Sequence, residues 1–518
     1  MIGRPGSGQG ERLAFNGGGS RREVTSPYSR PDASTSGNGS VTPASPQDAG
    51  AASSRAPHHP ASAEPRDWAF TWTLVFTAVL FLRPQDVFPP LEALHLAEMS
   101  AVLGLVSLLA GRLSRRQTLT RMTPEFAGVL ALGAVILLTA PFSIWFGGAV
   151  GLFTDQYVKV VLVYLLAVNV LTSPKRVERL TWLLVLAIGY VAFRAVLDYA
   201  RGVNVIAKGT RVQGAVGGLV GNPNDMALHM VIFIPFALYI ALRPGPAWKR
   251  LVGAGAGFCM MGAVVASGSR GGFLGFAAML LVVLIVAARQ RPGMVMAGVL
   301  VVLCALPLVP GQYWRRVSSI NDPTKDDYNS GTARKNLMGE AWDAFVENPI
   351  TGVGAGQFKD YKPEARLEAW HETHNVWLQV ASEIGIFGLA VFGFLMYRAF
   401  SGARQTRKML ARMRAAAAAA RRGARPPKAP VPVVSEEDAV LLDAHSSAMV
   451  AALVGFLVCS FFASVAYNWT FYYLLALAVA PRDILRESIA APVRRNAEAG
   501  DLSAARSPLG LRPRGARA

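Results

Sequence analysis

Apolar residues in this chain fall in long runs separated by short polar or basic links, without the alternation of a strand. A helix crossing a bilayer core about 30 Å thick needs roughly 20 residues at about 1.5 Å each. Runs of suitable length are read at 68–82, 91–109, 126–142, 157–172, 180–197, 226–242, 251–266, 271–288, 294–309, 375–397, 440–463 and 468–484. They predict an all-α fold, a polytopic transmembrane helix bundle of about twelve spans. The plan is a tail at 1–66, a bundle at 67–309, a large polar loop at 310–374 and a span at 375–397. A basic loop at 398–439, two spans within 440–487 and a basic tail at 488–518 complete it. The first tail is rich in Gly, Ser, Pro and Ala, has no apolar period and is expected to be disordered, as is the last. No secretory signal peptide is expected, because the first apolar run begins only at Trp68.

The large loop is predicted to contain short helices. Leu337, Ala341 and Phe345 recur at helical spacing with Trp342 alongside, so 332–345 reads as an amphipathic helix on the membrane surface or capping the bundle. Asn348-Pro349 ends it, and Gly352, Gly354 and Gly356 allow the next segment to turn tightly. The 398–439 loop, with its Ala run and Pro-rich end, reads as a helix followed by a flexible linker, solvated and facing lipid headgroups.

The chain is 52% hydrophobic and only 16% charged, which excludes an ordinary soluble protein of this length. A net charge of +19 would suggest nucleic acid in a soluble protein; here the cations sit in links and tails, and no nucleic-acid partner is expected. With the N-terminus inside, the inner links hold Arg112, Arg115, Arg116 and Arg121, then Lys175, Arg176 and Arg179, then Arg243, Lys249 and Arg250, then Arg289 and Arg291. The 143–156 link holds no cation, as an outer link should, so both termini are expected inside. Cys259, Cys304 and Cys459 lie in or beside apolar runs at no metal-binding spacing and read as small core residues.

Some outer cations have no topological reason to be there: Arg201, Lys208, Arg211, Arg270, and in the large loop Arg315, Arg316, Arg334, Lys335 and Lys359. Arg270 lies in SGSRGG, where glycines remove steric cover and a guanidinium fork can meet phosphate oxygens in pairs. The alternative is an interfacial anchor on helix-end carbonyls. A nucleophile elbow is discounted, because Ser267 takes the place of the first Gly in GxSxG. Arg211 precedes a Gly-rich segment and the sequence NPND, in which Asn224 or Asp225 is expected to cap the next helix. His374, in HETHNVW, stands where the polar loop enters the membrane and could take a proton from a hydroxyl; it could also be a His hydrogen-bonded at a helix start. HETH lacks the HExxH spacing of a zinc helix, His371 is the weaker candidate, and Asn375 caps or orients its neighbour. Glu383, two turns into the following span, faces either a polar cavity or an Arg partner. His374 is thus the candidate catalytic residue, and Arg211, Arg270, Arg334 and Glu383 are candidates for substrate contact. No metal or other cofactor is expected. Arginines on the outer face suit a donor carried on a lipid diphosphate, whose departing charge they would stabilise.

SRGGFLG between two spans, ENPITGVGAGQF in a large loop and HNVWLQVASEIGIFGL entering the next span together resemble the O-antigen ligase and polymerase superfamily of bacterial envelopes, over roughly residues 205–400. The RPQD opening is similar to the O-glycosylation ligases found with exosortase systems. The resemblance implies a multi-pass inner-membrane enzyme that moves a glycan from an undecaprenyl-diphosphate carrier to an acceptor hydroxyl on the periplasmic side, without a metal. It implies that Arg211 and Arg270 contact the diphosphate and that His374 is the base. The acceptor could be a lipid, a glycan or a protein hydroxyl, and membrane lipids are the remaining partners. A chain polymerase of the same superfamily is one alternative. A lipid-linked glycan flippase is the other, although no internal repeat of the transporter kind is present.

Overall fold

The computed structural model describes residues 67–206, 209–214, 221–288, 309–318, 330–365, 372–423 and 430–505. Among them, nine helices are long and apolar enough to cross a membrane, and the protein is an all-α polytopic bundle. In chain order the helices are α1 (Trp68–Leu82), α2 (Leu96–Ser114), α3 (Pro124–Thr139), α4 (Phe146–Val170) and α5 (Pro174–Arg201). A two-stranded hairpin follows, β1 (Val205–Ile206) and β2 (Arg211–Val212), then α6 (Pro223–Leu242), α7 (Ala247–Ser267) and α8 (Arg270–Ala288). The large loop contributes α9 (Gly311–Ser318) and α10 (Ser330–Glu347), and α11 (Val376–Arg421), α12 (Glu436–Cys459) and α13 (Trp469–Ala505) end the described chain. Eleven of the twelve expected runs are helical; the run at 294–309 lies almost wholly outside the described residues, as do the tail at 1–66 and residues 506–518.

Helix α6 is at the centre. Met226 through Ala237 are buried around its whole circumference, as a helix apolar on all sides requires, and it packs against α7, α12 and α8. Helix α4 begins eleven residues before the expected span, so most of the outer link expected at 143–156 is helix. A π-helical turn at Phe153–Tyr157 shifts its register and turns Tyr157 inward, where the hydroxyl donates to the Val129 carbonyl at 2.8 Å.

The basic end of the bundle differs most from expectation. Helix α11 has 46 residues, which at about 1.5 Å each reach about 69 Å, well beyond a bilayer core. Residues 398–421 are therefore helix, and Ala399, Gly402, Ala403, Thr406 and Leu410 are buried instead of solvated. Helix α13 likewise runs to Ala505, through much of the stretch expected as a disordered tail. A Cβ on Gly402 would lie 2.8 Å from the Ala478 carbonyl, so glycine is what lets α11 and α13 cross there. Leu410, Leu442 and Leu485 join the extensions of α11 and α13 to the start of α12 in a small separate core. Beneath it, fully buried Glu125 at the start of α3 accepts from Arg398 Nη2 (2.6 Å) and Arg482 Nη1 (2.7 Å), tying three helices together. Cys459 is a buried core residue as expected, Cys259 is half-buried, and Cys304 lies outside the described residues.

Candidate active site

At the opposite end, the chain builds a cavity of about 380 Å³ from three separate stretches. The first is the hairpin. Gly202, in the left-handed conformation (φ 69°), ends α5, and Val205 pairs with Val212 and Ile206 with Arg211. Arg211 Nε donates to the Ser267 carbonyl at 2.8 Å and Nη2 to Asn224 Oδ1 at 2.9 Å. Arg211 thus binds a helix-end carbonyl, the role read from the sequence only as the alternative for Arg270, and the two contacts fix the plane of its guanidinium.

The second stretch is the SGSRGG turn. Helix α7 stops at Gly268 (φ 58°), and the Ser269 hydroxyl accepts from Gly272 N at 3.1 Å while donating to Asn224 Oδ1 at 3.0 Å. Asn224 therefore joins Arg211 to the residue preceding Arg270. The cap of α6 is Asn222, whose side chain accepts from Asn224 N; this corrects the expectation for Asn224 or Asp225 and leaves the Asn224 oxygen for Arg211. Gly271 and Gly272 serve close packing, because Cβ atoms there would lie 2.5 Å from Phe462 and 2.6 Å from Ala227.

The third stretch is the large loop. The amphipathic helix is present as α10, but its buried face is Leu337, Ala341 and Ala344; Phe345 is only half-buried and Trp342 is exposed. This face packs on Val353, Phe358 and Tyr361 to form a core of its own. At its C-terminus Glu347 accepts from Lys362 Nζ at 2.5 Å and Tyr361 Oη at 2.6 Å, and Lys362 beside it holds the carboxyl below the usual carboxylate range. The N-terminal half of α10 presents Ala333, Arg334 and Leu337 to the cavity. His374 closes the wall in the left-handed conformation (φ 48°), a conformation that costs a non-glycine residue and gathers at functional sites. Its own N–H donates to Ser464 Oγ at 2.8 Å, and the next residue, Asn375, caps α11 by accepting from Trp377 N and Leu378 N.

Arg211, Arg334 and His374, distant in sequence, therefore line one cavity together with the amides of Gln213, Asn222 and Asn224. Arg270 and Glu383 do not line it. Arg270 opens α8 at the same end of the bundle, with neighbouring Gly271 packed on Phe462, two residues from the Ser464 that binds the His374 backbone. Glu383 belongs to the glycine loop. Helix α11 breaks at Ile384 and Gly385, and the loop supplies the missing partners: Val353 N donates to Ser382 O at 2.8 Å and Gly354 N to Glu383 O at 2.9 Å. Ile386 N in turn donates to Pro349 O at 2.8 Å, and the Glu383 carboxylate accepts from Gly356 N at 2.9 Å. Among the described residues Glu383 has no Arg partner; its carboxylate holds a backbone N–H. A Cβ on Gly385 (φ 68°) would lie 2.2 Å from Ile350 O, and one on Gly352 (φ 64°) 2.3 Å from the Glu383 carbonyl carbon. ENPITGVGAGQF is thus a plug for a broken membrane helix, whose polar backbone must be satisfied within the protein. His371 lies outside the described residues.

Residues 255–393 match the family model described as O-antigen ligase, Wzy_C. Over that stretch, about a quarter of its length, the chain is similar to the O-antigen ligase family. No curated protein matches it. The matched stretch runs from α7 into α11 and includes Arg270, Arg334, His374 and the plug loop, whereas Arg211 lies before it. Sequence reasoning missed Asn224 as an anchor for Arg211 and Ser464 as an anchor for His374. Each is a small polar residue whose partner lies far along the chain, and neither carries a local signal. Asp225, in the first turn of α6, also places a carboxylate within electrostatic reach of Arg334 and Glu372.

Proposed function

We propose that the protein transfers a glycan from an undecaprenyl-diphosphate carrier to an acceptor hydroxyl, in the cavity formed by Arg211, Arg334 and His374. The imidazole of His374 takes the proton of the acceptor hydroxyl as its oxygen attacks the anomeric carbon. The bond from that carbon to the phosphate oxygen breaks, and undecaprenyl diphosphate leaves. The guanidinium groups of Arg211 and Arg334 balance the charge that develops on the departing phosphate, where preorganised donors have their largest effect. Arg270, at the start of α8 on the same end of the bundle, adds positive charge near the cavity without lining it. Glu383 acts at one remove, by seating the loop behind α10.

The observation that carries this reading is the meeting of two arginines and a histidine, drawn from three stretches, in one cavity at a helix boundary. The cavity lies at the ends of α5, α7 and α10 away from the basic links, and the positive-inside rule assigns that end to the periplasm of an inner-membrane protein with both termini in the cytoplasm. The test is reconstitution of the full chain in liposomes with a synthetic lipid-diphosphate glycan and, separately, a lipid, a glycan and a Ser/Thr protein acceptor. Glycan on one acceptor, lost in His374→Ala, supports the reading. Extension of the carrier-linked glycan itself makes the enzyme a polymerase. Carrier flipping without transfer to any acceptor rejects it.

A further inference from the structure

A second cavity, of about 240 Å³, opens at the basic end of the bundle, where α5 and α12 meet the turn between α6 and α7. Its wall carries Arg243, Lys249 and Arg250. Arg243 is held by Glu178 at 2.6 Å, with exposed Glu437 at 4.0 Å. Among the described residues no carboxylate pairs with Lys249 or Arg250: the first lies over the Trp248 ring at 5.7 Å, and the second turns its Nε to the Ala241 carbonyl at 3.2 Å. The Tyr239 hydroxyl is buried in the same wall, beside Arg243, without a well-formed hydrogen bond. The site thus sets three cations against two carboxylates, a net positive charge, beside a polar hydroxyl, where the active site has no part.

The surface running away from it is apolar. On α5, Leu186, Tyr190 and Phe193 continue the line of Trp182 at helical spacing and are exposed; on α7, Trp248, Leu251 and Phe258 do the same. Trp182 and Trp248 meet at the cavity with ring centroids 6.5 Å apart, and Gly189 lets α5 approach Ala256 of α7 closely. Both helices start at the cavity and run in the same direction. We propose that this cavity binds the phosphate headgroup of an anionic phospholipid, whose acyl chains lie along the α5 and α7 stripes. Charge complementarity at the basic end and continuity with a lipid-facing apolar surface favour a lipid over a free phosphate. The proposal is independent of the glycosyl-transfer reading.

The test is native mass spectrometry of the full-length protein released from detergent, titrated with phosphatidylglycerol or phosphatidylcholine. The wild type retains phosphatidylglycerol selectively, and Lys249→Ala/Arg250→Ala weakens that retention about thirtyfold, whereas Arg115→Ala/Arg116→Ala, at the same end but away from the cavity, changes it less than twofold. Lys249 and Arg250 are exposed, so an unchanged melting temperature in detergent verifies folding; the comparison of two lipids on wild-type protein needs no variant. Equal retention of both lipids, or equal loss in both double variants, overturns the proposal. Displacement of the lipid by millimolar inorganic phosphate would mark a small-anion site and overturn the lipid occupant.

Discussion

Arg211→Lys separates a positioned guanidinium from a positive charge. In the native protein Nε and Nη2 are committed to the Ser267 carbonyl and Asn224 Oδ1, at 2.8 and 2.9 Å, and the side chain lines the cavity with Arg334 and His374. A lysine has one ammonium at the end of a flexible stem. It can bond one of the two anchors or enter the cavity, but cannot hold all three positions. Each hydrogen bond from a charged donor contributes about 1.5–3 kcal/mol, so losing one on the way to the transition state corresponds to roughly ten- to a hundredfold in kcat/KM. The assay is transfer from a synthetic lipid-diphosphate glycan in proteoliposomes, at donor concentrations below and above KM, with melting temperature as the control. The loss should appear mainly in kcat if the guanidinium meets charge that develops as the bond breaks. Asn224→Ala, which removes one anchor and keeps the arginine, should fall between wild type and Arg211→Lys. An Arg211→Lys enzyme within twofold of wild type at sub-saturating donor, with unchanged melting, would refute the positioning role.

His374→Ala should lower kcat by about 10²–10⁴ with donor binding retained, measured by single-turnover transfer and by binding of the carrier-linked glycan. Glu125→Gln should destabilise the fold by about 3–5 kcal/mol, because Arg482 and Arg398 lose a buried counter-charge; thermal unfolding in detergent reads the change, and an unchanged midpoint contradicts it. Gly385→Ala should release the plug loop, since the backbone there has φ 68° and the new Cβ would strike Ile350 O; limited proteolysis within 348–365 should accelerate and transfer should fall with it. The contact of Glu347 with Lys362 rests on a carboxylate held below its ordinary value, so it is fully present above that value and is lost as pH falls through the lower one. Amide protection factors at the end of α10, which correct for the intrinsic pH dependence of exchange, should fall on acidification in wild type and stay level over that window in Glu347→Gln.

What the chain alone determined is what depends on neighbours in sequence. Apolar runs of span length, cationic links, Gly268 after Ser267, Asn375 before Val376 and the helical spacing of Leu337 and Ala341 are local signals, because helix formation and capping involve groups within about four residues. They were enough to place His374 at a helix start and Arg270 in a tight turn. The tertiary structure decided which side chains meet. The Asn224 amide serves Arg211 because α6 lies against the end of α7, and Glu383 serves Gly356 because a loop fills a broken helix. Arg398 and Arg482 are drawn onto Glu125 because α3, α11 and α13 converge there. A buried hydrogen-bonding group must be satisfied by whatever the fold places next to it, and the identity of that neighbour is a property of helix packing, which no stretch of sequence encodes by itself.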